Sequence, residues 1–305
     1  MSTQSQINDI AGTLLGKRGG EGYSTTYDSS LLVRIPRSLN RETYRIDNEN
    51  LPFVGGDVWN AYEVSAITNT GRPVSGVMKI WCKADSKYHV ESKSIKLYLN
   101  SFNMTPFGET GEECIKIIED TVREDLSTLL ETEVECKLFT RNDSLNFDVF
   151  SDYEELEDLV DLDNVDYCND KLQKLDLSNS TVKDFTPRLK VRTNLLRSNC
   201  RVTNQPDWGD LFIFIKGNEE DSVFTLDSLA SYIVSHREVN HFHEEIVEMI
   251  FKKLYDEFNP KELMVCAMYT RRGGIDINPI RSTHEHLIPG AFRTMNSLTQ
   301  KTLRQ

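Results

Sequence analysis

A thiol and a carboxyl group lie close together in the stretch SNCRVTNQPDWG, which spans residues 198–209. Thiols attack as thiolates, and a free thiol is mostly protonated at neutral pH. A carboxyl nearby can take that proton and later return it to the product of attack, which is general acid–base catalysis. The Gln205-Pro206 dipeptide predicts a turn between the two groups. Alone, this spacing is a modest indication that Cys200 is a nucleophile and Asp207 a proton donor.

Three other stretches accompany this one: ESKSIKLYLNSF at residues 91–102, FHE at 242–244 and YTRRGGIDINP at 269–279. Together the four stretches resemble the bimodular form of the QueF nitrile reductases, over roughly residues 52–282. That family reduces 7-cyano-7-deazaguanine to 7-aminomethyl-7-deazaguanine with NADPH, in queuosine biosynthesis. The resemblance implies that Cys200 adds to the nitrile carbon and forms a covalent thioimide, and that Asp207 supplies a proton. It also implies a homodimer.

The resemblance assigns the base-binding role to residues from both parts of the chain. A guanine-like edge presents a ring N–H and an exocyclic amine, and ionised carboxylates only accept hydrogen bonds. Glu91 and Glu244 are therefore expected to read that edge. The other expected substrate contacts are Val90, Ser92 and His243. Trp208 and Phe242 are candidates to stack on the base, although at least one of the two is expected to be a core residue.

Ser92, Lys93, Arg272 and Gly273 match the positions at which the family binds NADPH. Cationic side chains and a bare glycine amide suit phosphate groups. The chain has no Gly-x-Gly-x-x-Gly fingerprint after a strand, so a Rossmann domain is not expected. No Cys or His spacing matches a usual metal site, and a metal is not expected.

Each candidate also has an ordinary structural interpretation. A lone cysteine is usually an inert buried residue, and an aspartate after proline is a common turn residue. Glu91 and Glu244 stand where helices are predicted to begin, and acidic residues are favoured there for electrostatic reasons. Lys93 and Gly273 are ordinary residues of a solvated helix and a tight turn.

The composition limits the classes of protein that fit. The chain has 305 residues, a formal charge of −13 and 38% hydrophobic residues, so it suits one or two globular domains. Polyanions bind to clustered basic residues, so the acidity favours a free base as substrate over a nucleic acid. The first residues lack the features of a secretory signal, and the six cysteines form no Cys-x-x-Cys pair. A cytoplasmic protein with reduced thiols is expected, without contact with a membrane.

The pattern of strands and helices predicts an α+β fold. Predicted strands cover residues 58–67, 74–83, 133–139, 190–197, 211–216 and 263–269, and predicted helices cover residues 94–102, 111–130, 225–235 and 242–258. Residues 31–33 add a possible edge strand. The order strand, strand, helix, helix, strand occurs twice, which indicates an internal duplication. The resemblance implies tandem tunnelling-fold (T-fold) modules, antiparallel sheets each with two helices on one face.

Four segments follow from this pattern. Residues 1–50 are an N-terminal extension, residues 51–150 the first T-fold module, residues 151–185 an acidic and partly exposed linker, and residues 186–305 the second module with Cys200. The active site is expected between the modules. Two other functions stay open: an amidine-forming transferase that acts on the same nitrile, and a deazapurine-binding protein without catalysis.

Overall fold

The computed structural model describes residues 26–140, 146–173, 188–217, 224–302 and 305. Among these residues the α-helices are α1 (Ser38–Arg41), α2 (Ser92–Ser101), α3 (Gly111–Leu130), α4 (Leu156–Leu159), α5 (Leu226–Val234), α6 (His243–Phe258) and α7 (Gly290–Arg293). The strands are β1 (Arg34–Pro36), β2 (Val54–Ile67), β3 (Pro73–Lys83), β4 (Tyr88–Val90), β5 (Val134–Phe139), β6 (Asn146–Phe147), β7 (Glu154–Glu155), β8 (Arg188–Thr193), β9 (Arg197–Cys200), β10 (Pro206–Lys216), β11 (Asn240–His241), β12 (Glu262–Tyr269), β13 (Ile275–Ser282) and β14 (Leu298–Thr299).

Most strands of the described ranges belong to one ten-stranded sheet, whose main path is β11-β9-β10-β12-β13-β2-β3-β5. The pairs along this path are antiparallel, except for the short parallel pair β11–β9. β8 pairs with β10 next to β9, and β7 pairs with β8 in parallel. The predicted α+β class with antiparallel sheets is confirmed.

The long helices of both halves cover the same face of the sheet. Met78 of β3 packs in one core with Ile118 of α3, and Ile213 of β10 packs in another with Ile250 of α6. Strand residues alternate between faces, so Phe212 points the other way and packs with Phe292 of α7. The predicted order of strands and helices therefore occurs twice, with two long helices on one face each time.

The two halves join edge to edge through β13 and β2, where Ile275–Ser282 pairs with residues 61–54. Sequence reasoning did not predict β13 as a strand. Gly55 permits the close approach of β13 to β2, and Gly56 permits that of β3 to β2. A Cβ on Gly55, whose φ is +139°, would lie 2.1 Å from the Ile280 carbonyl oxygen, and a Cβ on Gly56 would lie 2.5 Å from the Cys82 carbonyl oxygen. The sheet is therefore continuous across the halves.

A cluster of buried ion pairs lies at this junction, on the helix-covered face. Arg281 donates to Asp57 and to Glu248, both at 2.9 Å. Arg37 lies 2.5 Å from Asp57, and Arg41 lies 2.8 Å from Glu248. Such pairs lose hydration on burial and are tolerated when every charge has partners. The cluster links the N-terminal part, both sheet halves and α6.

The N-terminal part differs from its prediction. Residues 31–33 do not form an edge strand: Ser29–Leu31 is a 3-10 helix, and the strand β1 begins at Arg34 and pairs with β4. The side chain of Asp28 accepts a hydrogen bond from the Ser30 N–H, which favours the helical turn at this position. Leu31 and Leu32 are buried by packing rather than by strand pairing.

The acidic segment is described from residue 151 to residue 173, and over this part it packs against the second half more closely than an exposed linker would. Leu156 is fully buried, and Val160 and Val165 join the core of the second half. Acidic side chains at its surface pair with β8: Arg192 lies 2.7 Å from Glu155. The apolar residues between the acids explain this packing. The rest of the predicted linker lies outside the described residues, and the segment boundaries remain predictions.

Candidate active site

Cys200 and Asp207 are neighbours in a β-hairpin. The predicted single strand at residues 190–197 is instead two strands, and Cys200 is the last residue of the second, β9. Asp207 lies opposite Ser198 across the hairpin, and since side chains alternate along a strand, it shares a face with Cys200. Cys200 is half-buried and Asp207 is buried.

The turn of this hairpin lies earlier than predicted. The Cys200 N–H donates to the Gln205 carbonyl at 2.8 Å, and the Asn204 N–H donates back to the Cys200 carbonyl at 2.9 Å. Asn204 takes the left-handed conformation with φ +55°, which asparagine tolerates. Pro206 starts β10, a position where its missing N–H costs no ladder bond.

Two cationic or ionisable groups meet the carboxylate of Asp207. Arg272 Nε lies 2.9 Å from Asp207 Oδ1, and His243 Nε2 lies 3.3 Å from the same oxygen. Arg272 also donates from Nη2 to the Pro206 carbonyl at 3.1 Å. The structure therefore brings Asp207, His243 and Arg272 together, and Arg272 contacts the proposed proton donor directly.

Tyr269 holds the imidazole of His243 in place, and sequence reasoning missed it. Its ring stacks on His243 with centroids 3.8 Å apart and planes 6° apart. Gly209 makes room for it, because a Cβ there would lie 3.0 Å from Tyr269 Cδ1. Burial, and then the charges of Asp207 and Glu244, hold the pKa of Tyr269 well above its usual range. The phenol therefore stays neutral beside the two carboxylates.

Glu244 is buried next to His243 and faces His89 of the first half. Its Oε1 lies 3.7 Å from His89 Nδ1, and neither atom has a hydrogen-bond partner among the described residues. The ring of His89 meets Phe242 edge to face at 5.1 Å. His89 is the second residue that sequence reasoning missed; its place two positions before Glu91 was the only available signal.

Glu91 is buried and caps helix α2. Its Oε2 accepts from the N–H groups of Lys93 at 3.0 Å and Ser94 at 2.7 Å, while Oε1 has only a 3.5 Å contact with Ser92 Oγ. Burial raises the pKa of Glu91, although these backbone donors oppose it. The helix-start interpretation is thus correct in part, but the residue is not at the surface. Val90, just before it, is buried in β4.

The cofactor candidates lie where α2 of the first half meets the turn before β13. Gly273 has φ +59°, and a Cβ there would lie 2.6 Å from Cδ of Lys96. Within the described ranges neither Lys93 nor Lys96 makes an ion pair. Lys96 lies against this turn, and Lys93 lies one helical turn before Lys96 on α2. Arg272 directly precedes Gly273, so cationic side chains lie near a bare glycine, as phosphate groups require. The residues present therefore fit NADPH, and Lys96 is an addition to the predicted set.

The two aromatic candidates differ. Phe242 lies beside His89 and packs with Ile35. Trp208 follows Asp207 in β10 and so faces the other side of the strand, where the guanidinium of Arg237 lies 5.2 Å from its ring centre. Phe242 is therefore the aromatic ring next to Glu244, and Trp208 is not.

Comparisons with known proteins agree with these motifs. Residues 23–138 match the family model described as nitrile reductase, 7-cyano-7-deazaguanine-reductase N-term, and residues 206–287 match the model described as QueF-like protein. The NADPH-dependent 7-cyano-7-deazaguanine reductase of Rickettsia massiliae (strain Mtu5) is 40% identical over 274 residues, which are 90% of this chain and 94% of the relative. The chain belongs to this reductase family.

Other relatives with the same printed name come from Rickettsia felis and Rickettsia prowazekii, each 38% identical over 90% of this chain and 94% of their own length. A solved structure, the apo archaeosine synthase QueF-Like, is 18% identical with a TM-score of 0.28 and covers 32% of this chain and 91% of its own.

In this reductase the candidate residues come from both matched stretches. Glu91, Ser92 and Lys93 lie in the first, and all candidates from Asp207 onward lie in the second, with Cys200 just before it.

In the described ranges no group of three His, Cys, Asp or Glu side chains is arranged to hold a metal, and no helix there is long and apolar enough to cross a membrane. A cavity of about 300 Å³ next to Phe212 and Met268 contains none of the candidates.

Proposed function

We propose that this chain reduces the nitrile of 7-cyano-7-deazaguanine to an aminomethyl group with NADPH, through a thioimide on Cys200. One observation supports the thioimide: the side chains of Cys200 and Asp207 share one face of a hairpin. Arg272 and His243 also contact the carboxylate of Asp207. A half-buried thiol next to a fixed carboxylate has the arrangement of an activated nucleophile.

Asp207 moves the proton in the first step. The Cys200 sulfur forms a bond to the nitrile carbon, the thiol proton passes to Asp207, and Asp207 delivers it to the nitrile nitrogen. The result is a C=N–H thioimide with no net gain or loss of protons. His243 and Arg272 hold Oδ1 of Asp207, so the carboxylate is oriented before the substrate arrives.

NADPH, when bound, supplies the two hydrides that a nitrile needs to become an amine. Arg272, Lys93 and Lys96 would hold its phosphates beside Gly273. After the first reduction a lone pair on nitrogen would form the C=N bond of an imine as the carbon–sulfur bond breaks, and the C–S electron pair would return to Cys200 as thiolate. Asp207 and His243, which contact each other at 3.3 Å, would return protons to that nitrogen.

The base would lie between the halves, with Glu244 and Glu91 as acceptors for its N–H groups. Glu244 Oε1 has no hydrogen-bond partner among the described residues, and Glu91 Oε1 has only a long contact. Buried acceptors without partners are uncommon in native structures, so both oxygens suit a ligand that brings donors. Phe242 lies next to them and offers a ring face or edge to the base.

We also propose that the substrate is the free base rather than a nucleic acid, and that the enzyme works as a cytoplasmic homodimer. The charge of −13 disfavours a polyanionic substrate. Sedimentation of the purified protein tests the dimer, and a single species at the monomer mass of 35.0 kDa would refute it.

NADPH absorbance with the nitrile as substrate tests the activity. Oxidation of two NADPH for each amine formed is expected. Formation of an amidine from added ammonia, without NADPH use, would identify a transferase instead. Tight binding of the nitrile with neither reaction would identify a binding protein.

A further inference from the structure

Nδ1 of His89 and Oε1 of Glu244 are buried polar atoms that lie near each other without forming a hydrogen bond. His89 is 4% exposed and Glu244 is 3% exposed. The 3.7 Å between Nδ1 and Oε1 is too long for a hydrogen bond, and neither atom has another partner within the described ranges. A buried polar group without a partner is unfavourable, so the pair is expected to have a ligand.

The surroundings of His89 place it in the base site. It precedes Glu91 by two positions in extended backbone, so the two side chains lie on the same side of the chain. Its ring also meets Phe242, which immediately precedes His243 and Glu244. His89 therefore faces the space that Glu91, Glu244 and Phe242 share.

We propose that His89 donates a hydrogen bond from Nδ1 to the ring carbonyl oxygen of the base, beside the ring N–H that Glu244 accepts. This inference rests on the proposed function. A guanine-type edge presents a carbonyl acceptor directly next to an N–H donor. An imidazole donor next to a carboxylate acceptor is the complement of that edge, and the 3.7 Å between Nδ1 and Oε1 sets the two atoms side by side, so that each can face one of the two neighbouring groups of the base.

His89 and Glu244 together select against bases in which the hydrogen-bond donor and acceptor positions are exchanged. An adenine-type edge has an amine donor where guanine has the carbonyl, and a ring acceptor where guanine has the N–H. Such a base would face His89 with a donor and Glu244 with an acceptor, and both buried groups would stay without partners. Sites built in this way discriminate more strongly than apolar pockets do. His89 is thus a specificity-determining residue.

The test is a double-mutant-type cycle. It compares binding when the side chain of His89 is changed, when the carbonyl oxygen of the base is changed, and when both are changed. The ligands are 7-cyano-7-deazaguanine and its thiocarbonyl analogue, in which sulfur, a weaker hydrogen-bond acceptor, replaces the carbonyl oxygen and the ring N–H is kept. The variant His89→Phe keeps a ring against Phe242 and removes the donor, and His89→Asn restores an N–H donor near the position of Nδ1. Binding is measured by calorimetry in a Cys200→Ala background, so that no covalent bond contributes.

In the protein with His89 unchanged, the thiocarbonyl analogue is expected to bind about tenfold more weakly than 7-cyano-7-deazaguanine, because sulfur accepts the hydrogen bond from Nδ1 less well. His89→Phe is expected to bind the two ligands equally, and His89→Asn to recover most of the difference. A merely structural role would weaken both ligands equally. An unchanged ratio in a folded His89→Phe protein overturns the inference. If that variant does not fold, His89→Leu is measured in the same way.

The proposed function is tested separately in the same series. The protein with Cys200 intact must form an adduct with the nitrile base. Absence of that adduct overturns the proposed function. A normal adduct, together with an unchanged ligand ratio in His89→Phe, overturns only the role of His89.

Discussion

Arg272 Nε lies 2.9 Å from Asp207 Oδ1, so a residue assigned to the cofactor also holds the proposed proton donor. Sequence reasoning gave Arg272 the cofactor role alone. The ion pair adds a role in the step before any cofactor is needed, since a misdirected carboxylate would accept the thiol proton less well.

Arg272→Ala is therefore expected to slow adduct formation by about tenfold in the absence of NADPH, because Asp207 loses a charge-assisted hydrogen bond. It should also raise the KM for NADPH. Stopped-flow mixing with the nitrile base measures the first effect, and steady-state oxidation of NADPH measures the second. Adduct formation at the normal rate in Arg272→Ala would show that the ion pair has no part in the first step.

Lys93→Ala is the matched comparison, because Lys93 makes no ion pair within the described ranges. A charge-assisted contact with phosphate contributes about 1.5–3 kcal/mol, or roughly ten- to a hundredfold in affinity. The KM for NADPH should rise by that factor while the rate of adduct formation stays constant. A change in both would mean that Lys93 acts on the base or on the thiol.

Asp207→Asn is expected to lower turnover by about 10²-fold or more, because the amide cannot carry the proton. The amide has nearly the shape of the carboxyl group, so affinity for the base should be kept. Affinity is measured in a Cys200→Ala background. Unchanged turnover in the folded variant would reduce Asp207 to an ordinary strand residue.

The buried ion cluster predicts acid sensitivity. Burial alone would raise the pKa of Asp57 and of Glu248, but Arg281 and the neighbouring arginines outweigh it and lower both pKa values to about 2. A lowered pKa in the folded protein stabilises it above the ordinary carboxyl pKa, and this contribution is lost as the pH falls from about 4.5 towards 2. Urea unfolding at a series of pH values should show this loss of free energy.

Arg281→Leu should weaken this dependence and destabilise the fold, because Asp57 keeps only Arg37 and Glu248 keeps only Arg41 as partners within the cluster. Breaking such a pair costs about 3–5 kcal/mol near neutral pH. The control is Arg293→Ala, which removes an exposed pair with Glu285 and should cost less than about 1 kcal/mol. Equal costs for the two variants would contradict the account of the cluster.

Gly55→Ala tests the junction of the two halves. The added Cβ would meet the Ile280 carbonyl oxygen in the neighbouring strand, and the positive φ adds strain. A loss of about 1–3 kcal/mol in the free energy of unfolding is expected, with a loss of activity. Gly290→Ala is the control, since nothing lies within 4 Å of its Cβ position. Normal stability and activity in Gly55→Ala would contradict the observed pairing.

Local patterns predicted the regular elements well. Helix α3 begins and ends at the predicted residues, since Thr110 and Glu113 form a capping box and the apolar period is clear. Its buried residues recur every four positions and are Cys114, Ile118, Val122, Leu126 and Leu130.

Long-range contacts were not predictable in this way. The pairing of β13 with β2 joins segments more than two hundred residues apart, and no local period encodes it. His89 and Tyr269 gain their roles only from partners distant in sequence, and an isolated histidine or tyrosine in a strand has no local signal. The same holds for Arg272, whose contact with Asp207 depends on how the turn before β13 approaches the hairpin.

The central claim is the covalent bond to Cys200, and intact-protein mass spectrometry tests it most directly. The protein is mixed with 7-cyano-7-deazaguanine without NADPH, beside Cys200→Ala and beside Cys168→Ala, which removes an exposed cysteine. The account predicts a mass increase equal to one substrate in the unchanged protein and in Cys168→Ala, and none in Cys200→Ala. An adduct that persists in Cys200→Ala would contradict it.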